Sequence, residues 1–133
     1  MDCIFCKIIN GDIPKFTVYE DDDSIAFLDV SPVNPGHVLV LPKKHVANFE
    51  EVSEEILTAT MKTVKKVGKS LKDSLGVAGY NVYENNDPVA GQVIHHLHFH
   101  VIPRHEGDEL GLWPQKKYEP GQAEEILNKI KIN

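Results

Sequence analysis

Four of the seven histidines in this chain fall in one short run, His95-His96-Leu97-His98-Phe99-His100, which continues into Val101-Ile102-Pro103. The alternation from His96 to Val101 has the period of a strand, which puts His96, His98 and His100 on one face and Leu97, Phe99 and Val101 on the other. Three imidazoles in a row on one strand face do not suit a core. A neutral imidazole is both a metal ligand and a nucleophile near pH 7. The run therefore reads as a functional cluster that binds a metal through all three rings or uses one ring as a nucleophile. The intervening apolar residues and the internal position argue against an affinity tag.

The two cysteines form Cys3-Ile4-Phe5-Cys6. A disulfide there would close a very small loop, and a redox dithiol of this spacing belongs at the start of a helix directly after a core strand. Two such thiols supply half of a tetrahedral zinc site, with the remaining ligands elsewhere. The alternative is two inert thiols in an N-terminal turn.

The elements that must position these groups follow from pattern. Ile4 to Ile9 reads as a short helix ending near Asn10-Gly11, and Pro14 restarts the chain in extended form. Phe16–Tyr19 and Ile25–Leu28 read as strands flanking a solvated acidic turn, Glu20-Asp21-Asp22-Asp23. Ser31 to Gly36 is a loop by composition, and His37 to Pro42 a strand closed by proline. Ser53 is the expected N-cap of the longest helix, with Glu54 and Glu55 in its first turn and Gly76 at its end. Its apolar stripe is Leu57, Met61, Val64, Leu71 and Leu75, with Val67 close by; Lys62, Lys65, Lys66, Lys69 and Lys72 form a solvated face. Gly79–Tyr83 is a further strand, Asn85–Gln92 a polar loop, and the histidine strand follows. The short connections favour antiparallel neighbours, hence an α+β fold of about five strands. A helix near Gln122–Ile130 is expected to pack through Ile126, Leu127 and Ile130. Trp113 suits the core, a dimer contact or a pocket rim equally.

The chain has 133 residues, 41% of them hydrophobic, and a formal charge of −6 from 14 basic and 20 acidic side chains. That suits one folded domain, 1–133, and disfavours DNA or RNA binding through a broad basic face. No run approaches about 18 apolar residues and no signal peptide is evident, so no membrane association is expected and the chain reads as cytoplasmic.

The histidine run, preceded by Gly91-Gln92, resembles the signature of the histidine triad family: His-apolar-His-apolar-His and two further apolar residues. The likeness extends to Ile4-Phe5-Cys6-Lys7-Ile8-Ile9, Ile13-Pro14, Phe27-Leu28-Asp29-Val30-Ser31-Pro32, Pro35-Gly36-His37 and Leu41-Pro42-Lys43-Lys44-His45, in family order over about residues 3 to 105. Residues 106–133 form a less regular tail. The resemblance implies a five-stranded antiparallel sheet with one long helix and short terminal helices, paired by a two-fold into a homodimer. It also implies binding of a purine nucleotide (AMP-like) and cleavage at its α-phosphorus. The matching branch is that of phosphoramidate and dinucleotide hydrolases; the branch that transfers nucleotides to sugar phosphates replaces the third histidine with glutamine, whereas His100 is kept here.

On that resemblance His98 is the nucleophile, forming a covalent nucleotidyl intermediate, its other nitrogen bonded to a backbone carbonyl in the region 91–93. His100 and His37 donate to the phosphate oxygens, and Asp29 accepts the ribose hydroxyls. Phe5, Ile8, Ile13, Leu28 and Val30 form an apolar slot for the base, while Asn85, Gly91, Gln92 and Val93 lie near the phosphate and leaving group. At position 93 the well-known phosphoramidate hydrolases carry a hydroxyl residue that donates toward the leaving group; Val93 offers only backbone. Cys3, Cys6, His45 and His96 match the structural zinc set of a family subset. His95 and His105 are expected to be structural or surface residues. Alternatives are a diadenosine-polyphosphate hydrolase, a nucleotide-binding regulatory or scaffold protein, and a metalloenzyme using His96, His98 and His100 together.

Overall fold

A computed structural model describes residues 2–132. The elements, in chain order, are α1 (Ile4–Ile9), β1 (Thr17–Glu20), β2 (Ser24–Leu28), β3 (Val38–Pro42), α2 (Glu54–Leu75), β4 (Gly79–Glu84), β5 (Phe99–Arg104) and α3 (Gln122–Ile130), with a single 3₁₀ turn at Pro88–Ala90. The five strands form one sheet of order β1-β2-β3-β5-β4, and every neighbouring pair is antiparallel. The architecture is α+β, as the sequence predicts.

The central strands sort their side chains by the period of two. Ala26, Val38, Val40, Phe99 and Val101 face α2 and pack with Val64, Val67 and Leu71. Ile25, Phe27, Leu39 and Leu41 face the opposite way, onto Cys3, Phe5 and Ile8 at α1. Each face of the sheet thus has its own apolar layer, and α1 with its cysteines lies on the face away from α2. The long helix begins as read: Ser53 accepts the Ile56 N–H, and Gly76 closes it in the left-handed conformation. Inside it, Gly68 lets Tyr80 approach so closely that a Cβ there would stand 2.5 Å from the ring.

Three sequence expectations are corrected. The histidine strand starts at Phe99, not His96. Pairing with β3 runs through Val40↔Phe99, and beyond it the N–H of Leu97 bonds Val46 O in the loop after Pro42 at 2.8 Å. Pro42 has no N–H to continue a ladder, so the His96–His98 stretch is held by that loop instead. Leu75, expected in the stripe of α2, is more exposed than buried at the helix's last turn. The third correction concerns α3, which contains no buried residue: Leu127 and Ile130 are 58% and 69% exposed. The sheet's two faces are already covered by α1 and α2, which leaves Leu127 and Ile130 of α3 largely uncovered while Ile126 is half-buried. Among the described residues no helix is long and apolar enough to cross a membrane.

Candidate active site

The alternation that buries Phe27 and Leu39 under α1 also opens a cleft of about 380 Å³ at the end of the sheet. Phe5 and Ile8 from α1 form one wall, and Asp29, Tyr83, His98 and His100 close the polar end. Tyr83 is the direct cross-strand partner of His100, and the two rings stack at 4.5 Å and 13°. Phe5 meets His98 edge-on at 5.0 Å.

Hydrogen bonds fix which nitrogen of each ring carries the proton. His98 Nδ1 lies 2.7 Å from the carbonyl oxygen of His96. A carbonyl only accepts, so Nδ1 is the protonated nitrogen and Nε2 keeps its lone pair. His37 Nδ1 accepts the Val33 N–H at 3.1 Å, so its proton sits on Nε2 and is donated to His100 Nδ1 at 2.8 Å. His100 must then carry its own proton on Nε2. The cleft therefore holds an unprotonated ring nitrogen on His98 and an N–H on His100, with ring centroids 5.0 Å apart.

Burial depresses the proton affinity of all three rings. The His98 imidazole is held below its ordinary range by desolvation, against the pull of the His96 carbonyl and of Asp29. His37 is lowered by desolvation and partly restored by Asp29. His100 falls to about 4, through desolvation first and then the neighbouring His98 and His37. At neutral pH all three are uncharged, as a nucleophilic imidazole requires. The 3.7 Å approach of Asp29 Oδ2 to His37 Nε2 is accordingly a contact between a carboxylate and a neutral ring.

A second cluster lies behind the first. The ligand atoms of Cys3, Cys6, His45 and His96 lie within 4.8 Å of one another. Cys6 Sγ is 3.4 Å from His45 Nδ1 and 3.7 Å from His96 Nδ1, and Cys3 Sγ is 3.6 Å from His96 Nδ1. His96 Nε2 donates to Pro42 O at 2.8 Å, which leaves the Nδ1 lone pair aimed at the two thiols. The Cys6 thiol is pushed up by burial and by Cys3. These four residues form a candidate Cys2His2 metal cluster. Asp29, His37 and His100 also bring three ligand atoms together, but the N–H···N bond between the two rings places a proton where a cation would sit. Since His96 commits both its nitrogens away from the cleft, the three triad rings do not act as one ligand set.

A model of the HIT domain matches residues 10–107. The chain belongs to the HIT family. It is 44% identical to an adenosine 5′-monophosphoramidase of Schizosaccharomyces pombe, covering 98% of this chain and 100% of that one. A HIT family protein of Bacillus subtilis has a similar crystal structure, with TM-score 0.89 and 38% identity over 97% and 94% of the two chains. A zinc-bound histidine triad family protein of Mycobacterium smegmatis matches with TM-score 0.80 and 31% identity, over 93% and 87%.

Within this HIT chain the site residues read from sequence separate into groups. His98, His100, Asp29, Phe5, Ile8, Leu28, Val30, Asn85, Gly91 and Val93 all line the cleft; Val30 and Val93 stand on its rim, 83% and 86% exposed. His37 lies one bond behind, through His100. Asp29 Oδ1 accepts the Ser31 N–H at 2.8 Å. Gly91 sits at φ 100, close under Asn85. Ile13 lines a separate shallow depression with Cys3 and His45. Gln92 is buried and turned inward: its amide donates to Ala47 O and Ile94 O, and its oxygen accepts the Asp87 N–H. It braces the loop and does not line the cleft. The carbonyl that bonds His98 belongs to His96, two residues away in the same extended segment, and not to the region 91–93. His95 and His105 are exposed.

Sequence reasoning missed Tyr83, Pro14 and Lys15, which also line the cleft. Tyr83 reaches it through strand register, which sequence does not reveal; Pro14 and Lys15 carry only a loop signal. A wider groove of about 750 Å³ adjoins the cleft and shares Tyr83, Asn85 and Gly91 with it; Trp113 lines that groove and is 83% exposed.

Proposed function

We propose that this HIT protein is a hydrolase of nucleoside 5′-phosphoramidates and related adenylated nucleotides, acting at the α-phosphorus through a nucleotidyl-His98 intermediate and releasing AMP. The observation that carries the reading is the fixed pair of tautomers: a bare Nε2 on buried His98 beside an N–H on half-buried His100, both rings neutral. His98 Nε2 attacks phosphorus, the bond to the leaving nitrogen breaks, and that nitrogen departs with the electron pair and a proton. Val93 supplies no hydroxyl, so the proton comes from solvent at the exposed rim. Water then attacks the same phosphorus and gives up a proton to solvent, and the P–Nε2 bond returns its electrons to His98. His100, oriented by His37, donates to the charge that grows on the phosphate oxygens. Asp29 Oδ2 is available to the ribose hydroxyls, and the apolar wall of Phe5, Ile8 and Leu28 takes the purine. The fission-yeast relative's described activity supports this assignment.

Zinc is the metal we assign to the Cys2His2 cluster. Tetrahedral zinc with ordinary Zn–S and Zn–N bonds needs sulfur and nitrogen about 3.6 Å apart, and the separations here are 3.4 to 3.7 Å. With four protein ligands the ion keeps no open position, so its part is to hold α1 against His45 and His96. The zinc-bound mycobacterial relative supports the same choice. We further propose a homodimer, on the uncovered apolar face of α3 and the free edge of β4, and a reducing, cytoplasmic setting, on the two free thiols.

The adjoining groove favours a second reading, hydrolysis of diadenosine polyphosphates, because it offers room beyond the phosphate. Against it, Arg104 in that groove is spent on Asp108, Asn81 and Leu110 O, which leaves a polyphosphate without that guanidinium. The deciding experiment measures AMP release from adenosine 5′-phosphoramidate by the intact protein and by His98→Ala. Loss of more than about a thousandfold in H98A supports the covalent mechanism. A folded protein that binds AMP and releases none from either substrate class would instead be a binding module.

A further inference from the structure

The apolar slot has a direction. Phe5 stands 5.0 Å from His98, Ile8 follows one helical turn further along α1, and Lys15 lies beyond Ile8, its ammonium donating to Ile8 O at 3.2 Å. Among the described residues lining the cleft, Lys15 and Asp29 are the side chains with a full charge at neutral pH. Asp29 stands beside His37 at 3.7 Å, whereas the Lys15 ammonium is tied to Ile8, one turn of α1 past the Phe5 that abuts His98. Lys15 is half-buried, and the bond to Ile8 O uses one of its three N–H donors.

We infer that Lys15 is a specificity-determining residue, which biases the base slot toward 6-oxopurines. The inference rests on the nucleotide reading given above. A purine whose phosphate lies at His98 and whose ribose lies at Asp29 points its C6 substituent toward the far end of the slot, because that substituent is the one most remote from the sugar. An ammonium there donates to a C6 carbonyl, as in hypoxanthine or guanine. It has nothing to give the C6 amino group of adenine, which is itself a donor. A charge-assisted hydrogen bond at a partly desolvated site then favours the carbonyl. The slot admits both bases, since its walls are apolar and make no other demand at that position. Lys15 sets the ratio between them.

Inosine 5′-monophosphate and AMP differ in the base only at C6 and the adjoining N1, so the pair isolates this contact. Their dissociation constants are measured by calorimetry with the intact protein, with Lys15→Met, which keeps the stem and loses the charge, and with Lys15→Glu, which inverts it. The expected result is an IMP-to-AMP preference that falls about fivefold in K15M and further in K15E. Equal ratios in all three proteins, with both nucleotides bound, overturn the role of Lys15 and leave the nucleotide site standing. Failure of the intact protein to bind either nucleotide overturns the site itself and the inference with it. Circular dichroism of each variant separates these results from misfolding.

Discussion

The chemistry rests on where three protons sit. His98 gives its Nδ1 proton to the His96 carbonyl, and His37 passes its Nε2 proton toward His100. The second bond is lost when His100 Nδ1 is protonated, and protonation of His98 Nε2 removes its lone pair; burial opposes both. His100, at about 4 in the folded state against about 6.5 in an unfolded chain, takes up a proton more readily when unfolded. The unfolded form is therefore favoured progressively as pH falls from 6.5 toward 4, and the contribution of this histidine is fully present only above that window. Between pH 8 and pH 5 the loss amounts to about 2 kcal/mol for this group alone. Urea midpoints across that range, compared with those of His100→Asn, check it: the variant is expected to show a shallower acid dependence, whatever its stability at pH 8. Identical slopes would mean that His100 titrates normally. The residues of this network were legible one by one in the sequence, since period and residue type put three imidazoles on one face. Their tautomers were not, because they depend on Val33 N–H and on His96 O, backbone groups that no side-chain pattern marks.

At the scale of the element, α1 has the most to lose. It spans six residues, too few for independent stability in water. It is secured by Phe5 and Ile8 in the core layer, by Cys3 accepting the Cys6 N–H at its N-terminus, and by the cluster with His45 and His96. The same helix supplies the apolar wall of the cleft, so a metal bound behind it would steady the base slot. His96 joins the two sites: its ring belongs to the candidate metal cluster and its carbonyl orients His98. Stripping metal with a chelator is accordingly expected to raise amide exchange across residues 4–9 at least tenfold while α2 keeps its protection, and to weaken AMP binding before the global fold is lost. Cys6→Ser should reproduce the pattern without chelator. Unchanged exchange in α1 after metal loss would show that Phe5 and Ile8 suffice. The sequence located this helix and its two thiols correctly, but it missed the start of β5. There the alternation of His96 to Val101 signals extended backbone; only the pairing, broken beyond Pro42, decides how much of it is a strand.

For the whole molecule, the uncovered surface carries the remaining information. Val82 on the free edge of β4 is 44% exposed, and Trp113, Leu127 and Ile130 in the tail are 83%, 58% and 69% exposed. The periodicity of α3 correctly announced a helix with an apolar face, but the expected packing through Leu127 and Ile130 is not seen, because a helix stripe does not say which surface it meets. Within the chain both faces of the sheet are already occupied. A free antiparallel edge with an apolar tail beside it is a liability in isolation and an asset in a two-fold pair, where each edge meets its own copy. The formal charge of −6 opposes self-association only weakly at physiological salt, since screening confines it to about 8 Å. Sedimentation at micromolar concentration is therefore expected to give a dimer for the intact chain and a monomer for Leu127→Lys/Ile130→Lys, two changes on exposed positions that leave the core untouched. Trp113 lines the groove that opens into the cleft, so separation of the copies should also alter turnover of substrates with bulky leaving groups more than binding of AMP. If both sediment as dimers, α3 is not part of the contact; if the intact chain sediments as a monomer, the proposed pairing is overturned.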